Sequence, residues 1–153
     1  MLIADYIVGK VFVSLFIIIC AISDLRIKAI DLRLFYAAAI LEAVSYAWMI
    51  FKGVSVDFTC MAIGVSVGVL ILIIAGITRG QIGMGDAIFF VITGIAIGGY
   101  RNILLCAGGM LAGALYGLIV HMIRFIRGKS VKGYSFAFIP LLAPIGMVIL
   151  ICA

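Results

Sequence analysis

Residues 59–86 read TCMAIGVSVGVLILIIAGITRGQIGMGD. The stretch 59–77 holds no charged side chain, and about 20 apolar residues suffice to cross the hydrocarbon core of a bilayer as a helix. A short polar loop with Arg79 follows, and Gly83-Met84-Gly85-Asp86 then sets a carboxylate at the opening of the next apolar run. A charge at bilayer depth is expensive, so an intramembrane Asp is read first as a functional group. The two glycines before it let the backbone approach neighbouring segments closely.

The same reading, carried outward, predicts six membrane-spanning helices at 6–22, 34–51, 59–77, 87–100, 103–123 and 136–151. The fold expected is an all-α membrane protein, a six-transmembrane-helix bundle forming one domain over 1–153. The fourth span is short and is expected to borrow length from the glycine-rich entrance or to sit low and pack against its neighbours. Composition agrees. Hydrophobic residues make up 67% and charged residues 11%, with a mean hydropathy of +1.44, whereas about a quarter of a soluble domain is charged. Lys10 interrupts the first span and is expected to snorkel toward the nearer surface. Asp5 precedes that span and no A-x-A site follows it, so the segment reads as retained, not as a signal peptide.

Orientation follows from the basic residues. Arg26, Lys28 and Arg33, then Arg79, then Arg124, Arg127, Lys129 and Lys132 fall after the first, third and fifth spans, whereas the opposite loops carry Lys52 and Arg101. The positive-inside rule places the richer set in the cytoplasm and both termini outside. Asp24, Asp31 and Asp86 then share the cytoplasmic side, and Asp57 lies opposite. The net charge of +5 anchors loops at headgroups; it is not gathered on one face as a nucleic-acid surface would be.

Cys20, Cys60, Cys106 and Cys152 lie singly in apolar segments and read as small helix residues, and His121 has no ligand-spaced partner. No metal or other cofactor is expected. Glycines recur every four residues as Gly64 and Gly68, Gly94 and Gly98, and Gly109, Gly113 and Gly117. Small residues at this spacing let helix backbones meet, within one chain or between copies in a homo-oligomer.

Hydrolysis of a peptide by two carboxylates needs one ionised, to take a proton from water, and one protonated, to polarise the scissile carbonyl. Two carboxylates sharing a small site cannot both ionise, so their titrations split and supply both roles. Asp86 opens a helix, where the macrodipole favours charge, and Asp24 closes one, where it does not. Asp24 is therefore the expected protonated partner. Taken alone, Asp86 also fits a helix cap and Asp24 an interfacial residue.

Ser23-Asp24-Leu25-Arg26 after the first span, with Gly-Met-Gly-Asp at 83–86 and the 136–140 opening of the last helix, resembles the type IV prepilin peptidases and archaeal preflagellin peptidases. These are six-helix membrane aspartic proteases of the GxGD type. The resemblance implies Asp24 and Asp86 as the catalytic pair and Gly83 and Gly85 as glycines shaping the site. It implies cleavage of a short leader from pilin-like or flagellin-like precursors at the cytoplasmic face. The soluble insertion with paired cysteines that accompanies N-methylation in many bacterial members is missing, so peptidase activity without methyl transfer is expected. Many members also have Ile-Pro-Asn where this chain has Ile30-Asp31-Leu32, and a lysine where it has Ile88; these departures bear on subfamily and substrate. Asp31 is a third cytoplasmic carboxylate that reads mainly as a loop or capping residue, and Arg26 reads mainly as a headgroup anchor. Two other classes fit a membrane protein that carries such acidic residues: a small ion- or proton-coupled channel or transporter, and a non-catalytic assembly subunit of a pilus or secretion system.

Overall fold

The computed structural model describes residues 1–3, 7–27, 32–78, 83–127 and 137–152. Its regular structure is six α-helices: α1 (Ile7–Ile27), α2 (Leu32–Phe51), α3 (Phe58–Ile77), α4 (Met84–Ile97), α5 (Gly99–Ile126) and α6 (Ile139–Cys152). The fold is all-α, as expected.

The expectation of six membrane-spanning helices is met only in part. Among the described residues four helices are long and apolar enough to cross a membrane, namely α1, α2, α3 and α5. α4 and α6 have 14 residues each, so they rise only about 21 Å against a hydrocarbon core of about 30 Å. α4 is cut short at both ends by glycine. Gly83 is its N-cap, and Gly98, at φ 82° and ψ −179°, ends it in a conformation that only glycine adopts readily. α5 starts at the next residue, so the sequence-based loop at 101–102 lies inside its first turn.

Burial explains how so short a helix is held. Ala87, Phe89, Phe90, Ile92, Thr93, Ala96 and Ile97 of α4 are all at most 4% exposed, so the helix runs through the middle of the bundle. α3, α5, α2 and α1 all pack on it. The α3–α4 seam is built on glycine: a Cβ at Gly64 would overlap the Gly94 carbonyl, and one at Gly68 would overlap the backbone at Phe90 and Val91. Close helix packing read from small residues is thus met within one chain. In α5, Gly109 faces Leu142 and Phe138 of the α6 region, whereas Gly117 faces open space.

On α1 the buried residues Val13, Phe16, Ile17, Cys20, Ala21 and Asp24 recur at helical spacing and form one stripe. Phe16 stacks on Phe89 at 5.7 Å between ring centroids and meets Phe35 of α2 at 6.4 Å, tying three helices together. α1 also packs on α6, with Ile17 against Gly146. Lys10 is half-buried, lining a groove between these two helices. All four cysteines are free, with Cys20 and Cys106 buried.

Candidate active site

Both sequence-predicted aspartates lie at the end of a buried stripe. Asp24 is one turn beyond Cys20 on the packed face of α1, and only 9% of it is exposed. Contrary to the sequence-based boundary, α1 does not stop there but runs on to Ile27, so Asp24 belongs to the last turns of the helix. Asp86 is in the first turn of α4, on the face continued by Phe89, Phe90 and Thr93, and is half-buried. The stacking of Phe16 on Phe89 fixes α1 against α4 beneath the two carboxyl groups.

The backbone N–H of Ile139 donates to Asp24 Oδ2 at 3.1 Å. Ile139 is the first residue of α6, where helical N–H groups have no partner in their own helix. Pro140 has no N–H, and Leu141 donates to the Phe138 carbonyl at 3.0 Å. Asp24 therefore caps a second helix from the end of its own. Three helix termini converge at the site: the C-terminal end of α1 and the N-terminal ends of α4 and α6.

Asp86 is not the cap of α4. That position is taken by Gly83, in extended conformation, with Asp86 three residues on. The Asp86 N–H donates to the Gly83 carbonyl at 3.1 Å. A Cβ built on Gly83 would lie 2.9 Å from Asp86 Oδ2, so the missing side chain at 83 is the space the carboxylate uses. Gly85 is half-buried beside it.

Asp86 precedes the apolar run of α4, which is not one of the four long spans. Its carboxyl is pushed above the usual carboxylate range, first by burial and second by the negative charge of Asp24. The two aspartates, 62 positions apart, are thus brought within electrostatic reach of each other. These surroundings point the opposite way from the expected division of labour. The sequence gives Asp24 the unfavourable end of α1, but the fold adds the N–H and positive dipole end of α6, which suit a negative charge. Burial and the charge opposite favour the protonated form of Asp86.

Arg26 is exposed in the last turn of α1. Asp31 lies outside the described residues, as do Lys28, Arg79, Lys129 and Lys132. Asp57 caps α3, accepting from Cys60 N at 2.9 Å, at the end of that helix remote from the two aspartates.

Other buried polar groups were not singled out by sequence reasoning. Asn102 and Thr93 are fully buried and bonded to each other at 2.9 Å. Glu42 of α2 is 2% exposed, and its Oε2 has no hydrogen-bond partner among the described residues. The signal for all three was a polar side chain inside an apolar helix. The Ile139 N–H carried no side-chain signal at all, only the Pro140 that follows it.

Fold and site together define an all-helical, multi-pass membrane protein in which two carboxyl groups interact across converging helix ends. A model of the type IV leader peptidase family matches residues 11–118, which include both aspartates and both site glycines. The match covers more than half of the chain, and the chain belongs to that family, which implies a protease acting on prepilin-type substrates. No curated protein and no solved structure matches the chain.

Proposed function

We propose that the chain is a membrane-embedded aspartic endopeptidase that removes the short leader of pilin-like or flagellin-like precursors at the cytoplasmic face, without methylating the new terminus. The observation that carries this reading is the pairing of Asp24, anchored on the Ile139 N–H, with Asp86, whose proton is held in part by the charge of Asp24. Ionised Asp24 takes a proton from the attacking water. Protonated Asp86 donates to the scissile carbonyl as its oxygen gains charge, and the resulting tetrahedral species collapses with proton return to the departing amine. Converging N-termini of α4 and α6 add positive potential where that negative charge develops. The basic loops favour the cytoplasm as the side on which this end of the bundle lies, with the chain in the inner membrane of a prokaryote.

The test is co-expression with a precursor. Asp24→Asn and Asp86→Asn each keep the shape of the side chain and are expected to abolish leader removal, seen as loss of the mobility shift on a gel. Full processing by either variant would sink the assignment.

Glu42 favours one second reading, passage of ions or protons. A buried carboxylate, here with Oε2 lacking a partner among the described residues, is a feature of proton relays in membrane proteins. That reading requires flux in proteoliposomes that falls on Glu42→Gln, with no cleavage of any precursor.

A further inference from the structure

At Gly64 and Gly68 the seam between α3 and α4 is glycine against backbone, so the helices meet there without side chains between them. A polar knot sits in this seam. The Asn102 side chain, from the first turns of α5, donates one N–H to the Gly64 carbonyl of α3 at 2.8 Å and one to the Phe90 carbonyl of α4 at 2.9 Å. Its Oδ1 accepts from the Thr93 hydroxyl of α4 at 2.9 Å. Both amide hydrogens and the amide oxygen are engaged, in a place where neither Asn102 nor Thr93 reaches solvent. Phe90 lies four residues, or about 6 Å of helix rise, from Asp86.

We propose that Asn102, with Thr93, is a positioning residue for the aspartate pair: it grips a carbonyl on each of two helices from a third and so sets the axial register of α4. Asp86 rides on that helix. Its height relative to Asp24, and hence the coupling between the two carboxyl groups, depends on that grip, which glycine against backbone does not supply. The proposal rests on the reading of Asp24 and Asp86 as the working pair.

The experiment uses the full chain in membranes and a precursor substrate. Asn102→Leu keeps side-chain bulk and removes the three hydrogen bonds. It is expected to lower kcat about tenfold or more with KM changed less than about twofold, as a misplaced catalytic group does. It should also move the alkaline limb of the pH–rate profile downward, because part of the elevation at Asp86 comes from Asp24. Thr93→Val, which exchanges a hydroxyl for a methyl, should shift both in the same direction by less. Position is read separately by oxidative cross-linking of Asp24→Cys with Asp86→Cys in a background where the four native cysteines are alanine. Cross-linking is expected to fall several-fold when Asn102→Leu is added. A folded Asn102→Leu protein with an unchanged pH limb and unchanged cross-linking would overturn the proposal. Should that variant fail to insert, an unchanged limb and cross-link in Thr93→Val overturns it equally. Because cross-linking needs no catalysis, it still reports the register of α4 if the aspartates prove not to be catalytic.

Discussion

A methyl group at residue 83 would sit 2.9 Å from Asp86 Oδ2, closer than a Cβ rests in a folded protein. The carboxylate is the mobile end of its side chain, so it is expected to swing aside while the helix stays folded. Gly83→Ala should therefore leave the thermal midpoint nearly unchanged and lower kcat by about tenfold or more, through misplacement of the reacting group. The pH profile is also set at this scale. The pair works with one proton. Activity rises as the first carboxyl loses its proton and falls as the second loses its own. Burial and the charge of Asp24 raise Asp86, so the falling limb is expected above the range near 4 where an exposed carboxyl titrates. A falling limb in that ordinary range would show that Asp86 is not the proton-holding member. GxGD and the Asp24 motif were legible because carboxylates and glycines stand out in an apolar chain. The proton assignment was not, since it depends on a backbone N–H from a helix 115 positions away.

At the scale of the element, α2 is held chiefly through a stripe of Phe35, Ala38, Glu42, Tyr46 and Met49 against α4. The Tyr46 hydroxyl donates to the Ile95 carbonyl at 2.6 Å, but Glu42, one turn earlier, leaves Oε2 unmatched. A buried polar atom without a partner costs about 1–3 kcal/mol. Glu42→Leu is accordingly expected to raise the thermal midpoint in detergent by a few degrees and to leave precursor cleavage intact. Loss of cleavage in a stable Glu42→Leu protein would place this carboxylate in the chemistry. Apolar run length predicted α2 and α3 to within two residues at each end. It misjudged α1, α4 and α5 because turns do not follow hydropathy: α1 carries its hydrogen-bonded ladder past Asp24, and a single glycine at 98 replaces the loop expected between α4 and α5.

At the scale of the whole molecule, hydropathy gave the class and the number of helices but not which of them reach across the bilayer. That depends on what surrounds each helix. α4 is short and central, shielded by four neighbours, so its ends need not reach both headgroup layers on their own. The packing that shields it also carries Asp86 to α1. Small residues at four-residue spacing announced close contact, but not which helices would meet; only the fold pairs Gly64 with Gly94 and Gly109 with Leu142.

The hydrogen bond from Ile139 to Asp24 bears on when this protein becomes what it is. A ribosome delivers residues in order at about 5–20 per second, and helices enter the membrane as they emerge. Both aspartates are in place once α4 has been made. The donor that completes Asp24 arrives only with α6, the last helix in the chain. A nascent protein thus carries its acidic pair from the making of α4 to that of α6 without the contact that organises it. The order of translation therefore sets when that contact forms, and a product broken off ahead of α6 lacks the N–H that Asp24 accepts from.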